Sequence, residues 1–239
     1  MSHLKAVLFD LDDTLWPIGP VIARAEILLF EWLTQHAAAV VQAHSIASLR
    51  TRRMALLAAN PRYALDLREL RRAGLTEAFL QCGEDVAKVD MAMAVFSAAR
   101  NAVTPFADVH PVLSRLKQQL LVGSVSNGVA DLGAIGMAHY FGASVAAHQL
   151  GCLKPEAAIF HAACEQLGVA PHEAVYVGDD PVLDVAGAQN AGLTAVWVRR
   201  DGMATPPLPP QVRPDAVCAT LYELESWIGE TVACTSSAR

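Results

Sequence analysis

The chain has 239 residues, a formal net charge of −6 at pH 7, 53% hydrophobic residues and 18% charged residues. This composition is typical of a globular protein, and the lack of a lysine- and arginine-rich block argues against nucleic acid as a partner. No apolar run has the length of a membrane span and no signal-peptide pattern opens the chain, so we expect no membrane association and a cytoplasmic location. The five cysteines lack metal-ligand spacing and are predicted to be reduced thiols.

The first predicted element is a buried β-strand over residues 4–9, which is followed at once by acidic residues. Asp10, Asp12 and Asp13 fall within four positions of each other. Because unpaired charges are costly in an apolar interior, the chain must leave the sheet near Asp10, which places these carboxylates at the carboxyl end of the strand. Crowded carboxylates favour a divalent cation, although a solvated acidic turn that caps a helix also fits this stretch alone.

From residue 18 to residue 104 the pattern becomes helical. Strand-like runs are absent, helix-forming residues dominate, and apolar residues recur at helical spacing. Asn60-Pro61 interrupts the pattern, and Gly74 is typical of the C-terminal end of a helix. We therefore predict an inserted domain of about four helices over residues 18–104.

After residue 105 strands and helices alternate, which is typical of a parallel sheet covered by helices. Residues 1–17 and 105–230 are accordingly predicted to form one α/β core, with a frayed tail over residues 231–239. The proline-rich stretch 203–214 is predicted to be a surface loop, with a protein-interaction role left open. The predicted strands lie near 120–125, 143–147, 174–177 and 194–198, and the predicted helices near 109–118, 155–167, 181–191 and 220–228.

Polar residues follow several of the predicted strands, and the carboxyl ends of parallel strands meet at one edge of a sheet. Several hard oxygen ligands without a histidine or cysteine cluster favour Mg²⁺ over zinc. A lysine and a hydroxyl beside them would bind a phosphoryl group, a free carboxylate could attack phosphorus, and a second could move the proton. The residues in question are Asp10, Asp12, Ser126, Asn127, Lys154, Asp179, Asp180 and Asp184.

Four of these segments resemble the motifs of the haloacid dehalogenase-like (HAD) superfamily. Asp10-Leu11-Asp12-Asp13-Thr14 is similar to its DxDxT motif, and Ser126-Asn127 and Lys154-Pro155 are similar to its second and third motifs. Gly178-Asp179 with Asp184 is similar to the fourth, GDxxxxD. The resemblance implies a Rossmann-like α/β core of the HAD fold with an inserted helical cap of the C1 type, which carries substrate selectivity.

The resemblance also implies a role for each motif residue. Asp180 is left open between the metal shell and solvent. The implied roles are nucleophile and Mg²⁺ ligand for Asp10, general acid/base and backbone Mg²⁺ ligand for Asp12, and Mg²⁺ ligand for Asp179. Asp184 would be a further Mg²⁺ ligand or would hold a metal-bound water, Ser126 and Asn127 would bind the phosphoryl group, and Lys154 would neutralise charge.

The second aspartate and the GD pair favour phosphomonoester hydrolysis on a small phosphorylated metabolite, because superfamily dehalogenases typically lack both. The stretch from Asp12 to Leu15 and the segment Trp197-Val198-Arg199 are similar to the bacterial branch that hydrolyses flavin mononucleotide. Flavin mononucleotide is therefore the leading substrate, beside nucleotides and sugar phosphates. A 2-haloacid dehalogenase and a non-catalytic phosphate-binding or interaction protein are the alternatives, and we expect a monomer or homodimer.

Overall fold

The computed structural model describes residues 4–204 and 206–236, with side chains described up to residue 231. The chain divides into two compact units. The first contains the described residues within 1–17, 104–128 and 136–239, and the second contains Ile18–Val103 and Val129–Ile135. None of the described helices is both long and apolar enough to cross a bilayer.

A six-stranded parallel sheet forms the centre of the first unit. Its strand order is β3-β2-β1-β4-β5-β6, so the first strand pairs with β2 on one side and with β4 on the other. The strand order therefore reverses at β1. Open α/β sheets bind ligands beside the carboxyl ends of the strands at such a reversal of strand order. The strands are β1 Ala6–Phe9, β2 Leu121–Ser126, β3 Ala143–Ala146, β4 Ala174–Gly178, β5 Thr194–Val198 and β6 Ala216–Cys218.

Helices cover the sheet and build the second unit. The four residues of β1 are fully buried, as an apolar strand covered on both faces must be. The α-helices are α1 Ile18–His36, α2 Ala38–Ala43, α3 Ile46–Ala59, α4 Leu67–Gln81, α5 Val89–Asn101, α6 Val109–Leu116, α7 Leu132–Ile135, α8 Ala147–Leu150, α9 Ala157–Leu167, α10 Gly187–Asn190 and α11 Leu221–Ser236. Short 3₁₀ helices span Pro61–Ala64, Val86–Lys88, Ala138–Tyr140 and Pro171–Glu173, and Pro181–Ala186 is a π-helical turn.

The second unit is a helical bundle with its own apolar core, contributed by α1 to α5. Helix α3 is capped by the preceding Ser45, whose hydroxyl accepts a hydrogen bond from the Ser48 N–H. Helix α4 is capped by the preceding Asp66, whose carboxylate accepts from two N–H groups. The prediction that Gly74 ends a helix is wrong, because α4 continues through it to Gln81. A Cβ at Gly74 would lie 3.2 Å from Arg53 Cγ, so the glycine allows α3 to pack closely against α4.

Three further predictions from the sequence need correction: the C-terminal tail, the helix after β4 and the number of strands. The tail predicted to fray from residue 231 is helical as far as Ser236, and residues 237–239 lie outside the described part of the chain. The helix predicted over residues 181–191 begins as a π-helical turn, and β6 had no counterpart among the predicted strands. The predicted loop 203–214 is described except at residue 205.

Candidate active site

Three carboxylates from two strand ends meet at the carboxyl edge of the sheet. Asp10 follows β1, and its backbone N–H donates to the Val177 carbonyl of β4 over 2.8 Å. Asp179 follows β4, and Asp184 lies in the π-helical turn after it. One carboxylate oxygen from each of Asp10, Asp179 and Asp184 lies within 4.8 Å of the other two.

The position of Asp184 depends on Gly178. A Cβ at residue 178 would overlap the Asp184 carboxyl group, so only glycine leaves room for this side chain. Asp184 is 1% exposed, and its Oδ2 accepts a hydrogen bond from the Asp180 N–H over 2.9 Å. Asp180 in turn uses Oδ1 to cap the Val182 and Leu183 N–H groups, so this carboxylate oxygen starts the π-helical turn.

A buried ammonium group lies among these carboxylates. Lys154 Nζ is 2.5 Å from Asp10 Oδ1 and 2.6 Å from Asp184 Oδ1. It also lies 3.1 Å from the Tyr176 hydroxyl, which is within hydrogen-bonding distance of the Val125 carbonyl as well. Lys154 is 3% exposed, so its ammonium is held by protein groups in place of water.

The segment that carries Lys154 is held by the end of β2. The Asn127 amide donates to the Lys154 carbonyl over 3.1 Å and accepts from the Lys154 N–H over 2.8 Å. Both ends of this amide therefore bind the backbone of Lys154, and the phosphoryl-orienting role that the resemblance implied for Asn127 stays a prediction. Ser126 is buried at the same edge, and its hydroxyl oxygen accepts a hydrogen bond from the Gly128 N–H over 2.9 Å.

The loop after β1 folds back on itself. The Leu15 N–H donates to the Leu11 carbonyl and the Asp13 N–H donates to the Trp16 carbonyl, each over 2.8 Å. Asp13 has φ of +61°, a conformation that aspartate tolerates better than most residues. The Trp16 indole N–H donates to Asp12 Oδ1 over 2.8 Å. The loop thereby presents Asp12 two residues beyond Asp10.

The buried ion pair of Arg200 and Asp108 holds the loop after β1. Arg200 donates to the Thr14 carbonyl through Nε and Nη2, over 3.1 and 2.9 Å, and pairs with Asp108 over 2.5 Å. The Thr14 hydroxyl donates to Asp179 Oδ1 over 3.3 Å, and the Trp197 indole N–H donates to the Asp179 carbonyl over 2.7 Å. Arg200 and Trp197, which help to hold the loop and Asp179, both lie outside the four motifs.

The electrostatics of the site show an excess of negative charge. Burial raises the pKa of Asp10 well above its usual range, and Asp184 and Asp179 add to this rise while Lys154 opposes it. Burial, with Asp184 and Asp13 beside it, raises the pKa of Asp179 to about 7. Burial alone would lower the pKa of Lys154, but the Asp10 and Asp184 carboxylates outweigh it and raise that pKa above its usual range.

The donor set fits Mg²⁺. Three carboxylates converge, their oxygens are hard ligands, and a single lysine leaves the group with a net negative charge. The raised pKa values of Asp10 and Asp179 show that a further cation would stabilise the ionised carboxylates. Asp10, Asp179 and Asp184 are the residues that would hold it.

The sequence missed several residues that shape the site. Tyr176 lies within an otherwise apolar strand, and the sequence predicts no role for Tyr176, Trp16 or Arg200. The Asp12-to-Trp16 spacing was a usable signal, because both belong to one tight loop. Arg200 and Asp108 are separated by 92 positions and gave no local signal.

Comparison with known proteins identifies the family. A family model described as a haloacid dehalogenase-like hydrolase matches residues 4–192. The chain belongs to the haloacid dehalogenase-like hydrolase family. The predicted family, the fold class and the assignment as an enzyme are therefore confirmed.

The proteins similar to this hydrolase include phosphatases and proteins named as dehalogenases. The chain is 30% identical over 203 residues to 5-amino-6-(5-phospho-D-ribitylamino)uracil phosphatase of Escherichia coli. The aligned region covers 83% of this chain and 85% of that protein. It is 33% identical over 218 residues to glyceraldehyde 3-phosphate phosphatase of Methanopyrus kandleri, and the aligned region covers 82% of this chain and 84% of that protein. A crystal structure of a 2-haloacid dehalogenase from Pseudomonas syringae pv. tomato superposes on this chain with a TM-score of 0.87 and is 35% identical to it in sequence. The match covers 95% of this chain and 99% of that chain.

Proposed function

We propose that this hydrolase is a Mg²⁺-dependent phosphomonoester hydrolase that works through an aspartyl-phosphate on Asp10. The observation that carries the proposal is the group of buried Asp10, Asp184 and Lys154 with half-buried Asp179, which combines a nucleophile, a metal-ligand set and a cation for the phosphoryl group. A bound Mg²⁺ would offset the charge repulsion between the carboxylates and the phosphoryl oxygens. The phosphatases among the relatives support this reaction.

In the first step, an Asp10 carboxylate oxygen attacks phosphorus and the bond from phosphorus to the ester oxygen breaks. The ester oxygen keeps the bonding electron pair, and Asp12 donates the proton that makes it an alcohol. Lys154 lies against Asp10 and lowers the repulsion between the nucleophile and the anionic substrate. Ser126, at the end of β2, would donate its hydroxyl to a phosphoryl oxygen.

In the second step, water attacks phosphorus of the aspartyl-phosphate and Asp12 accepts its proton. The bond from phosphorus to Asp10 breaks, which releases inorganic phosphate and restores both carboxyl groups. Asp12 therefore acts first as acid and then as base. Its position two residues after Asp10, in the loop closed by Trp16, suits a group that serves both steps.

For the substrate, we propose a small phosphorylated metabolite, with flavin mononucleotide as the leading compound. The similarity to the ribitylamino-uracil phosphatase supports this choice, since both compounds carry a phosphorylated ribityl chain. The similarity to glyceraldehyde 3-phosphate phosphatase keeps sugar phosphates in the panel. We further propose that the helical unit, Ile18–Val103 with Val129–Ile135, is the C1-type cap and contains the residues that select the substrate.

A 2-haloacid dehalogenase is the second candidate, favoured by the crystal structure of that name at 35% identity. Displacement of halide requires neither leaving-group protonation nor a divalent cation. In that reaction Asp12 would have no role as an acid, and Asp179 and Asp184 would have no metal ion to bind. This is why phosphate transfer is preferred.

The test is phosphate release from a panel of phosphomonoesters with Mg²⁺ and with EDTA, beside halide release from 2-haloacids. The panel contains flavin mononucleotide, nucleoside monophosphates, sugar phosphates and p-nitrophenyl phosphate. We expect phosphate release that requires Mg²⁺, and a preferred compound that defines the substrate. Metal-independent halide release without phosphate release would replace the proposal with the dehalogenase.

A further inference from the structure

We propose that Trp16 is a positioning residue for the general acid, because its indole N–H binds Asp12 Oδ1 and leaves the transferable proton on Oδ2. The inference deepens the proposed function and rests on it. Trp16 lies outside the four motifs, and it touches neither Asp10 nor the other carboxylates of the proposed metal site in the hydrogen bonds described above.

The geometry is that of a fixed donor and a half-buried acceptor. Trp16 Nε1 lies 2.8 Å from Asp12 Oδ1, and the Trp16 side chain is completely buried. The tryptophan backbone is fixed as well, because its carbonyl accepts from the Asp13 N–H and residues 12 and 16 form a β-bridge. An indole held in this way cannot follow the carboxylate, so the hydrogen bond restricts the orientation of the carboxylate.

The contact also distinguishes the two oxygens of Asp12. An indole nitrogen can only donate, so the oxygen facing it must be an acceptor when Asp12 carries its proton. Oδ1 faces the indole, and because the carbonyl oxygen of a carboxylic acid is a better acceptor than its hydroxyl oxygen, this contact favours the form with the proton on Oδ2. In the first chemical step this proton passes from Oδ2 to the ester oxygen as the bond to phosphorus breaks. Trp16 thus determines which oxygen of Asp12 acts and where it lies.

A positioned acid matters only for a leaving group that needs its proton. An alkyl phosphate leaves as a strongly basic alkoxide unless it is protonated, whereas p-nitrophenolate is a weak base that leaves without help. Loss of acid positioning must therefore slow alkyl phosphates more than the aryl phosphate. A merely structural role of Trp16 would slow both substrates by the same factor.

The experiment measures kcat/KM of Trp16→Phe with p-nitrophenyl phosphate and with the best alkyl phosphate of the panel. Because kcat/KM reports the steps up to the first phosphoryl transfer, it isolates the protonation of the leaving group. We expect a loss of about 30-fold for the alkyl phosphate and of less than about threefold for p-nitrophenyl phosphate, within the usual contribution of a general acid. The matched control is Trp197→Phe, which removes another buried indole donor at this edge but one that binds the Asp179 carbonyl. This control is expected to slow both substrates by one common factor.

A double-mutant cycle assigns the effect to Asp12. In an Asp12→Asn background, Trp16→Phe should cause no further selective loss with the alkyl phosphate, because the acid is already absent. A second readout needs no turnover and no folded Trp16 variant. The chain has four tryptophans, and we expect Asp12→Asn to shift the Trp16 indole N–H resonance in a ¹H–¹⁵N spectrum more than the other three.

The outcomes separate this inference from the proposed function. Equal losses for both substrates in Trp16→Phe, or an indole resonance unmoved by Asp12→Asn, would overturn the inference while leaving the phosphatase proposal intact. Absence of leaving-group dependence in Asp12→Asn itself would remove the general acid and the inference together. Absence of phosphate release by the wild-type protein would overturn the proposed function and, with it, this role of Trp16.

Discussion

The Lys154 ammonium lies 2.5 Å from Asp10 Oδ1, and both side chains are less than one-tenth exposed. The same ammonium pairs with Asp184 over 2.6 Å. Removing one partner of a buried ion pair leaves the remaining charge without compensation, which costs more than the pair contributes. Lys154 therefore stabilises the fold at the point where it serves the proposed chemistry.

Lys154→Met keeps most of the side-chain volume and removes the charge. We expect the free energy of unfolding of the metal-free protein to fall by about 3 kcal/mol, because Asp10 and Asp184 stay buried without their cation. We also expect phosphate release to fall at least about 100-fold. Urea unfolding and phosphate release measure the two effects. Lys117→Met, on the exposed end of the helix before β2, is the control, and activity retained by Lys154→Met would contradict the role.

Tyr176→Phe tests how much of the lysine position depends on the hydroxyl group. The hydroxyl lies 3.1 Å from Lys154 Nζ and 3.0 Å from the Val125 carbonyl, so its loss leaves both with one hydrogen bond fewer. We expect a decrease in stability of about 1–2 kcal/mol and a kcat about tenfold lower. Tyr222→Phe, at an exposed tyrosine, should change neither. An unchanged kcat in Tyr176→Phe would show that Asp10 and Asp184 alone position the lysine.

The helical unit should lose stability in acid because of Glu26. Burial opposes ionisation of Glu26, but Arg50 and Arg53, which donate to it over 2.5 and 2.6 Å, outweigh burial and lower its pKa below the usual 4.5. Its stabilising contribution is therefore complete above that usual value and is lost as the pH falls through the lowered pKa. We expect Glu26→Gln to be less stable by about 3 kcal/mol at neutral pH.

The deficit of Glu26→Gln should be smaller at an acidic pH well below 4.5 than at neutral pH, because the wild-type carboxylate takes up its proton as the pH falls through its lowered pKa. Urea unfolding of both proteins at the two pH values measures this change. Glu31→Gln, at an exposed position of α1, is the control and should show little deficit at either pH. A deficit that is the same at both pH values would contradict an electrostatic role for Glu26.

Arg200→Lys tests whether the Arg200 guanidinium holds the loop after β1 in place. A lysine keeps the charge but cannot donate to the Thr14 carbonyl through two nitrogens and to Asp108 through a third. We expect a loss of about 2–3 kcal/mol in the free energy of unfolding, together with slower phosphate release. The adjacent Arg199→Lys, at an exposed arginine, is the control. Equal stability of the two variants would show that the buried guanidinium network does not hold the loop.

The sequence predicted the parts of the site that depend on short-range rules. An apolar run followed by carboxylates must end a buried strand, and a parallel sheet collects such ends at one edge. Those two rules place Asp10 and Asp179 at one edge of the sheet, where a carboxylate oxygen of each lies within 4.8 Å of the other.

The parts that sequence could not supply depend on contacts between distant segments. Tyr176 lies in an apolar strand, where a tyrosine indicates packing, and its hydroxyl meets Lys154 and Val125 across 22 and 51 positions. Gly74 looked like a helix end because glycine is common there, but close packing of α3 on α4 explains it better. The role of Arg200 follows from a partner 92 positions away. Local propensity contains no information on such pairs.

The most direct test of the central claim is the detection of phosphate on Asp10. Asp12→Asn protein is mixed with the preferred substrate and Mg²⁺, quenched in acid, digested and analysed by mass spectrometry, with Asp10→Asn as the negative control. We expect the peptide that contains Asp10 to gain the mass of one phosphoryl group, and this gain to disappear in Asp10→Asn although that protein remains folded. Phosphate release by Asp10→Asn at the wild-type rate, or a phosphoryl group on another residue, would contradict it.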